Sequence, residues 1–116
     1  MVLQQKKKVR IWGEDEPGRK VTLLFLDNEY SGVAGSDGVW EIFLQEMEPG
    51  GPYAMRIQDD AGEERNVKDI LVGDVWMCSG QSNMELPMRR VVDRYPQELE
   101  QCRTARSALP VRTFKI

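Results

Sequence analysis

The chain has 116 residues, 41% of them hydrophobic and 30% charged, with a net charge of −3. That length suits one compact domain, or a small domain plus part of another, and it allows a core without disulfide or metal support. Its apolar runs are only a few residues long, too short for a membrane-spanning helix, and the weak negative balance argues against nucleic acid as a partner.

The N-terminus shows no secretory signal, because Met1-Val2-Leu3 runs at once into Gln4, Gln5 and Lys6-Lys7-Lys8. This triplet is the only basic run and reads as a solvated edge. Residues 8–72 then read as short strands separated by turn signals. Val9 to Trp12 is the first, and Glu16-Pro17-Gly18 supplies a turn. Val21 to Leu26 is apolar on both faces, which predicts a central strand. Asp27-Asn28 turns it into Glu29 to Ala34, and Ser36-Asp37-Gly38 makes the next turn. From Val39 to Gln45, Trp40, Ile42 and Leu44 share one face while Glu41 and Phe43 share the other, the period of a half-buried strand. Pro49-Gly50-Gly51-Pro52 breaks the chain. Tyr53, Met55 and Ile57 follow on one face, and a last strand runs from Asn66 to Val72. Six strands at this spacing predict a mainly β module, a small antiparallel β-sandwich over residues 1–72.

The remainder follows other rules. Residues 1–72 hold 14 acids and 9 bases, while residues 73–116 hold 5 acids and 7 bases, a shift that fits a boundary near residue 72. The continuously apolar Val75-Trp76-Met77-Cys78 predicts a strand buried on both faces. A helix is predicted from Pro96 to Arg106, with Pro96 at its first position, Glu98 and Glu100 early, and Arg103 and Arg106 late. Leu109-Pro110 ends it, and Val111 to Ile116 alternates as a new strand. Strand, helix, strand is the opening of an α/β fold. Cys78 and Cys102 are read as free, mostly buried thiols. With no histidine and no close cysteine pair, no metal site is expected.

Chemistry concentrates in Ser79-Gly80-Gln81-Ser82-Asn83-Met84. A serine in a tight turn at the carboxyl end of a strand lies where α/β folds bind ligands. A backbone N–H of such a turn can face an oxygen that develops negative charge. A serine hydroxyl becomes a useful nucleophile only when a base takes its proton, so the site also needs a histidine and an acid to orient it. Methionine at position 84 excludes the Gly-x-Ser-x-Gly elbow of the α/β-hydrolases.

The segment from Gly73 to Met84 closely resembles the first block of the sialate O-acetylesterase family, a branch of the SGNH (GDSL-like) hydrolases in which Gly-Gln-Ser-Asn replaces the usual Gly-Asp-Ser. Matches in the family's order extend along nearly the whole chain. They are Met1-Val2-Leu3-Gln4 and Val9 to Gly13 (similar to its opening strands), Gly38-Val39-Trp40, Gly50 to Tyr53, Asp69 to Trp76, and Leu109 to Phe114. The resemblance implies residues 73–116 as the start of an SGNH-type domain and Ser82 as nucleophile and backbone oxyanion donor. Gly80, Gln81 and Asn83 then support substrate or oxyanion, and no metal or organic cofactor is needed. It implies an acetylated carbohydrate substrate, O-acetylated sialic acids or a related glycan, and a secreted, periplasmic or lysosomal setting. The family's later Asp-x-x-His has no counterpart here, so the expectation is an N-terminal fragment, inactive alone, or one partner of a second chain carrying the catalytic His and Asp.

Other readings of the same residues stand beside this one. Ser82 also suits an N-cap or turn serine opening a helix. Trp12, Trp40 and Trp76 read as core residues before they read as a sugar-stacking platform. Trp76, inside the apolar run, is the one expected to be furthest from a ligand. Arg89 and Arg90 read as solvated surface or as attractors of an anionic sugar, and Asp74 as a turn residue. The alternative function is a non-catalytic β-sandwich that binds carbohydrate or protein.

Overall fold

The structure, a computed structural model, describes residues 1–87, 90, 94–108 and 110–114, with the backbone alone for Asn83, Glu85, Arg106 and Ser107. It divides into two compact units, Met1–Val75 and Trp76–Ile116. The first holds seven strands: β1 (Val2–Gln4), β2 (Val9–Glu14), β3 (Lys20–Phe25), β4 (Asn28–Val33), β5 (Val39–Leu44), β6 (Gly50–Asp59) and β7 (Glu64–Gly73).

Five of these form one sheet in the order β1-β7-β6-β3-β4, and β2 pairs with β5 in a second sheet. The pairing is antiparallel except at β1, which runs parallel to β7 with Val2 opposite Leu71 and Gln4 opposite Gly73. At three residues β1 is too short to display alternation, and its pairing with β7 alone makes it a strand.

One core lies between the two sheets. The inward rows are Val21, Leu23 and Phe25 from β3, Trp40, Ile42 and Leu44 from β5, Met55 from β6, and Ile70 and Val72 from β7, joined by Leu3, Ala34 and Met47. Leu23, Leu44 and Ile70 are fully buried. The alternation predicted for β5 holds, with Glu41 and Phe43 facing solvent. β3 is central, as its composition predicts, but only one of its faces is buried. Leu24 on the other face is exposed, so its apolar row marks a strand between two neighbours rather than one covered on both sides.

Two turns show how the local sequence dictates the connections. At Glu16-Pro17-Gly18-Arg19 the Arg19 N–H donates to Glu16 C=O at 3.0 Å, and Gly18 takes φ 85°. Pro then Gly is the chemistry of a type II turn, whose third residue needs positive φ. The β3–β4 hairpin turns at Leu26 and Asp27, one residue earlier than predicted, with φ of 49° and 60°. Phe25 pairs with Asn28 across it. Both residues enter the left-handed region that a two-residue hairpin demands, although neither is glycine.

The second unit departs from its sequence expectations. Residues 76–80 have no regular structure, and the strand predicted at Val75–Cys78 is not formed. Trp76 is 83% and Met77 91% exposed. A short 3-10 helix spans Ser82–Glu85, and α1 spans Pro96–Ala108, two residues beyond the predicted end. The strand predicted from Val111 is absent over 111–114, and Leu109, Lys115 and Ile116 lie outside the described residues. An apolar run signals a segment that gains by burial. It becomes a strand only where a neighbouring strand supplies hydrogen-bond partners, and among the described residues of this unit there is none.

Candidate functional site

The chain leaves the sandwich through an anchored segment. β7 ends at Gly73, and Asp74 then accepts a hydrogen bond on Oδ1 from Gln5 Nε2 at 2.9 Å. The Val75 N–H donates to Gln4 Oε1 at 2.9 Å. Gln4, the last residue of β1, and Gln5 just after it therefore fix the outgoing backbone. Asp74 thus has a local structural partner, though it lies in irregular backbone rather than in a turn.

Beyond this anchor, Gly80, Gln81 and Ser82 are all exposed. The Met84 N–H donates to Gln81 C=O at 2.9 Å and closes the turn in which Ser82 opens the 3-10 helix. Gly80 lets Met84 lie close, because a Cβ there would stand 2.6 Å from Met84 Cγ and the exposed methionine side chain would have to shift. Methionine at position 84 thus packs on the glycine two residues before the serine. The Ser82 hydroxyl makes no side-chain hydrogen bond to another described residue. As the first residue of its helix, Ser82 has a backbone N–H that no carbonyl of that helix accepts.

The arrangement brings together Gly80, Gln81 and Ser82 on one exposed turn, and among the described residues no side chain hydrogen-bonds the Ser82 hydroxyl as a base would. The side chain of Asn83 and the whole of Arg89 lie outside the described residues, while Arg90 is exposed. Cys78 and Cys102 are free but exposed, which corrects the expectation of buried thiols and follows from the unformed strand around Cys78. Among the described residues no group of His, Cys, Asp and Glu is placed to hold a metal ion.

The tryptophans divide differently from expectation. Trp40 is a core residue, 6% exposed, but Trp12 is 60% exposed and Trp76 more so. Trp12 lies between Arg10 and Glu14 on the outward face of β2. The signal was present: in the alternation from Val9 to Glu14, Trp12 falls in the row of the charged residues.

No protein-family model matches the chain. The sialate O-acetylesterase of Mus musculus is 35% identical over 101 residues, a match covering 78% of this chain and 19% of the relative. That of Homo sapiens is 35% identical over 102 residues with the same coverage. Among solved structures the chain is similar to a carbohydrate acetylesterase from Xanthomonas citri, with a TM-score of 0.70 and 39% identity, over 75% of this chain and 20% of that one. The chain therefore spans about a fifth of the length of the relatives it matches. Identity and fold agree: the chain belongs to the sialate O-acetylesterase family.

Proposed function

We propose that this chain is the nucleophile-bearing part of a serine carbohydrate esterase that removes O-acetyl groups from sialic acids or related acetylated glycans. In this reading residues 1–72 are a β-sandwich module, residues 73–116 begin an SGNH-type catalytic domain, and Ser82 is the nucleophile. The observation that carries it is the exposed Gly80-Gln81-Ser82 turn in a chain that is 35% identical over 101 residues to a named sialate O-acetylesterase.

Ser82 Oγ attacks the acetyl carbonyl carbon while its proton passes to a base, and the resulting oxyanion accepts a hydrogen bond from the Ser82 N–H. Collapse breaks the bond to the sugar oxygen, which leaves with the proton returned by the base. Water then cleaves the acetyl-serine, giving acetate and free Ser82. Gly80 lets the turn close, and Gln81 and Asn83 flank the nucleophile as supports for substrate or oxyanion. The chain contains no histidine, so the base comes from outside these 116 residues, from further sequence or from a second chain.

The absence of a histidine also favours a second reading, a sandwich that binds without catalysing. A serine-directed phosphonate, with the adduct located by mass spectrometry, separates the two. Ser82 is expected to stay unlabelled in the chain alone. It is expected to label, and p-nitrophenyl acetate to turn over, once a polypeptide is added that carries the Asp-x-x-His portion of a sialate O-acetylesterase. Turnover that survives Ser82→Ala in that mixture would remove Ser82 from the mechanism.

A further inference from the structure

We propose that the β-sandwich carries its own sugar-binding groove, on the open side between β2 and the β6–β7 pair, and that it takes a neutral, hydroxyl-rich segment of a glycan. The inference stands on the first unit alone and does not depend on the chemistry of Ser82. The groove has a volume of about 370 Å³, within the usual range of small-molecule sites. Its floor is apolar, with Val21, Met55, Ile57 and Val67, and its rim carries Trp12, Glu14, Asp15, Asp59, Glu63 and Arg65.

Trp40 supplies the observation that points to a ligand. Its indole is almost wholly buried, yet Nε1 donates to no other described residue. Among the described residues no buried side-chain nitrogen is left without a partner, so this N–H is reached by solvent. It lies at the edge of Gly13, where an added Cβ would stand 3.1 Å from Nε1, and Gly13 and Trp40 both line the groove. A buried donor held open to a concavity loses little by exchanging water for a ligand hydroxyl.

The other groups fit a sugar ring. Trp12 offers an exposed indole whose electron-rich face complements the C–H face of a pyranose. The carboxylates accept hydroxyl protons, and they do not converge into a metal-ligand set. Four carboxylates against one guanidinium and the Met1 ammonium leave the rim net negative, which also sets the charge preference. An anionic sugar entering the groove meets like charge, which costs affinity, whereas a neutral one does not. The groove therefore suits the neutral part of a glycan rather than a sialic acid carboxylate.

The test uses the 116-residue chain labelled with 15N and follows the three indole N–H signals, assigned by single substitutions. Titration with xylotetraose, cellotetraose and mannotetraose is expected to move the Trp12 and Trp40 signals along one saturation curve for at least one of the three. The Trp76 signal is expected to stay in place, and 3′-sialyllactose to bind at least tenfold more weakly. Trp12→Ala is expected to weaken binding at least tenfold, Trp12→Phe to retain most of it, and Trp76→Ala to change nothing. Stationary Trp40 with all three neutral sugars, movement confined to Trp76, or equal affinity for sialyllactose would each overturn the proposal.

Discussion

Trp40 of β5 lays its indole edge directly against Gly13 of β2, so close that a methyl group at Gly13 would stand 2.6 Å from Cζ2 and 2.8 Å from Cε2. The two residues are opposite each other in the β2–β5 register. Glycine here provides space, since its backbone needs no left-handed conformation. Gly13→Ala forces the ring to move within a packed core, and overpacking of this kind costs about 1–3 kcal/mol. Urea denaturation will show this loss, together with a displaced Trp40 indole N–H signal; an unchanged midpoint and signal would mean the contact is loose.

β3 gives an internal comparison between adjacent leucines. Leu23 is fully buried between the sheets, while Leu24 faces outward and is exposed. Leu23→Ala is expected to cost about 2–5 kcal/mol, through lost burial and the cavity left behind. Leu24→Ala is expected to cost less than about 1 kcal/mol. Equal losses in chemical denaturation would place a second covering layer over the outer face of β3.

The sandwich was legible because alternation reports burial directly. Trp40, Ile42 and Leu44 fall on one face in sequence and on one face in the fold. Strand order was less legible, since a three-residue strand such as β1 has no period and depends on β7. The candidate site was legible as a motif but not as an environment. Gly80-Gln81-Ser82 forms the expected turn, yet Val75–Cys78 is strand-like in composition alone, because a strand is a property of pairs. Trp12 failed for the opposite reason: its type suggested core, while its position beside Arg10 and Glu14 placed it outside.

The β3–β4 hairpin stores conformational strain at Leu26 and Asp27. Both have positive φ, a region that costs most side chains about 1–2 kcal/mol, with aspartate among the residues that tolerate it at a smaller cost. Leu26 is also packed against the core, so replacing it exchanges strain for lost burial. Asp27 is exposed and carries no such debt. Asp27→Gly is therefore expected to stabilise the chain by less than about 1 kcal/mol in equilibrium unfolding. A loss of stability would mean that the greater freedom of glycine in the unfolded chain outweighs the relief.

Glu64 on β7 accepts a hydrogen bond from Asn66 Nδ2 at 2.8 Å and pairs with Arg56 at 2.6 Å. The Asn66 bond first, and then Arg56, hold its carboxyl below its ordinary value of 4.5. A carboxyl depressed in the folded state contributes stability that is fully present above the unfolded value and is lost as pH falls through the folded one. Asn66→Ala removes the larger cause, so the Glu64 carboxyl resonance is expected to titrate at higher pH, closer to 4.5. An unmoved titration would assign the depression to Arg56.

The cysteines report on whether Val75–Cys78 ever becomes the strand its composition suggests. In this structure Cys78 and Cys102 are both free and exposed, and Met77 beside Cys78 is almost wholly in solvent. Both thiols are therefore expected to react with a disulfide reagent in the native chain at rates close to those in denaturant. If the proposed catalytic domain is completed by further polypeptide, neighbouring strands pair with Val75–Cys78 and bury its apolar row. Cys78 then becomes protected by at least tenfold, since attack requires access to the thiolate. Cys102, on the polar helix α1, is expected to keep more of its reactivity. Protection of Cys78 in the isolated chain would show the segment buried without a partner, and its continued reactivity in the completed enzyme would exclude it as a central strand.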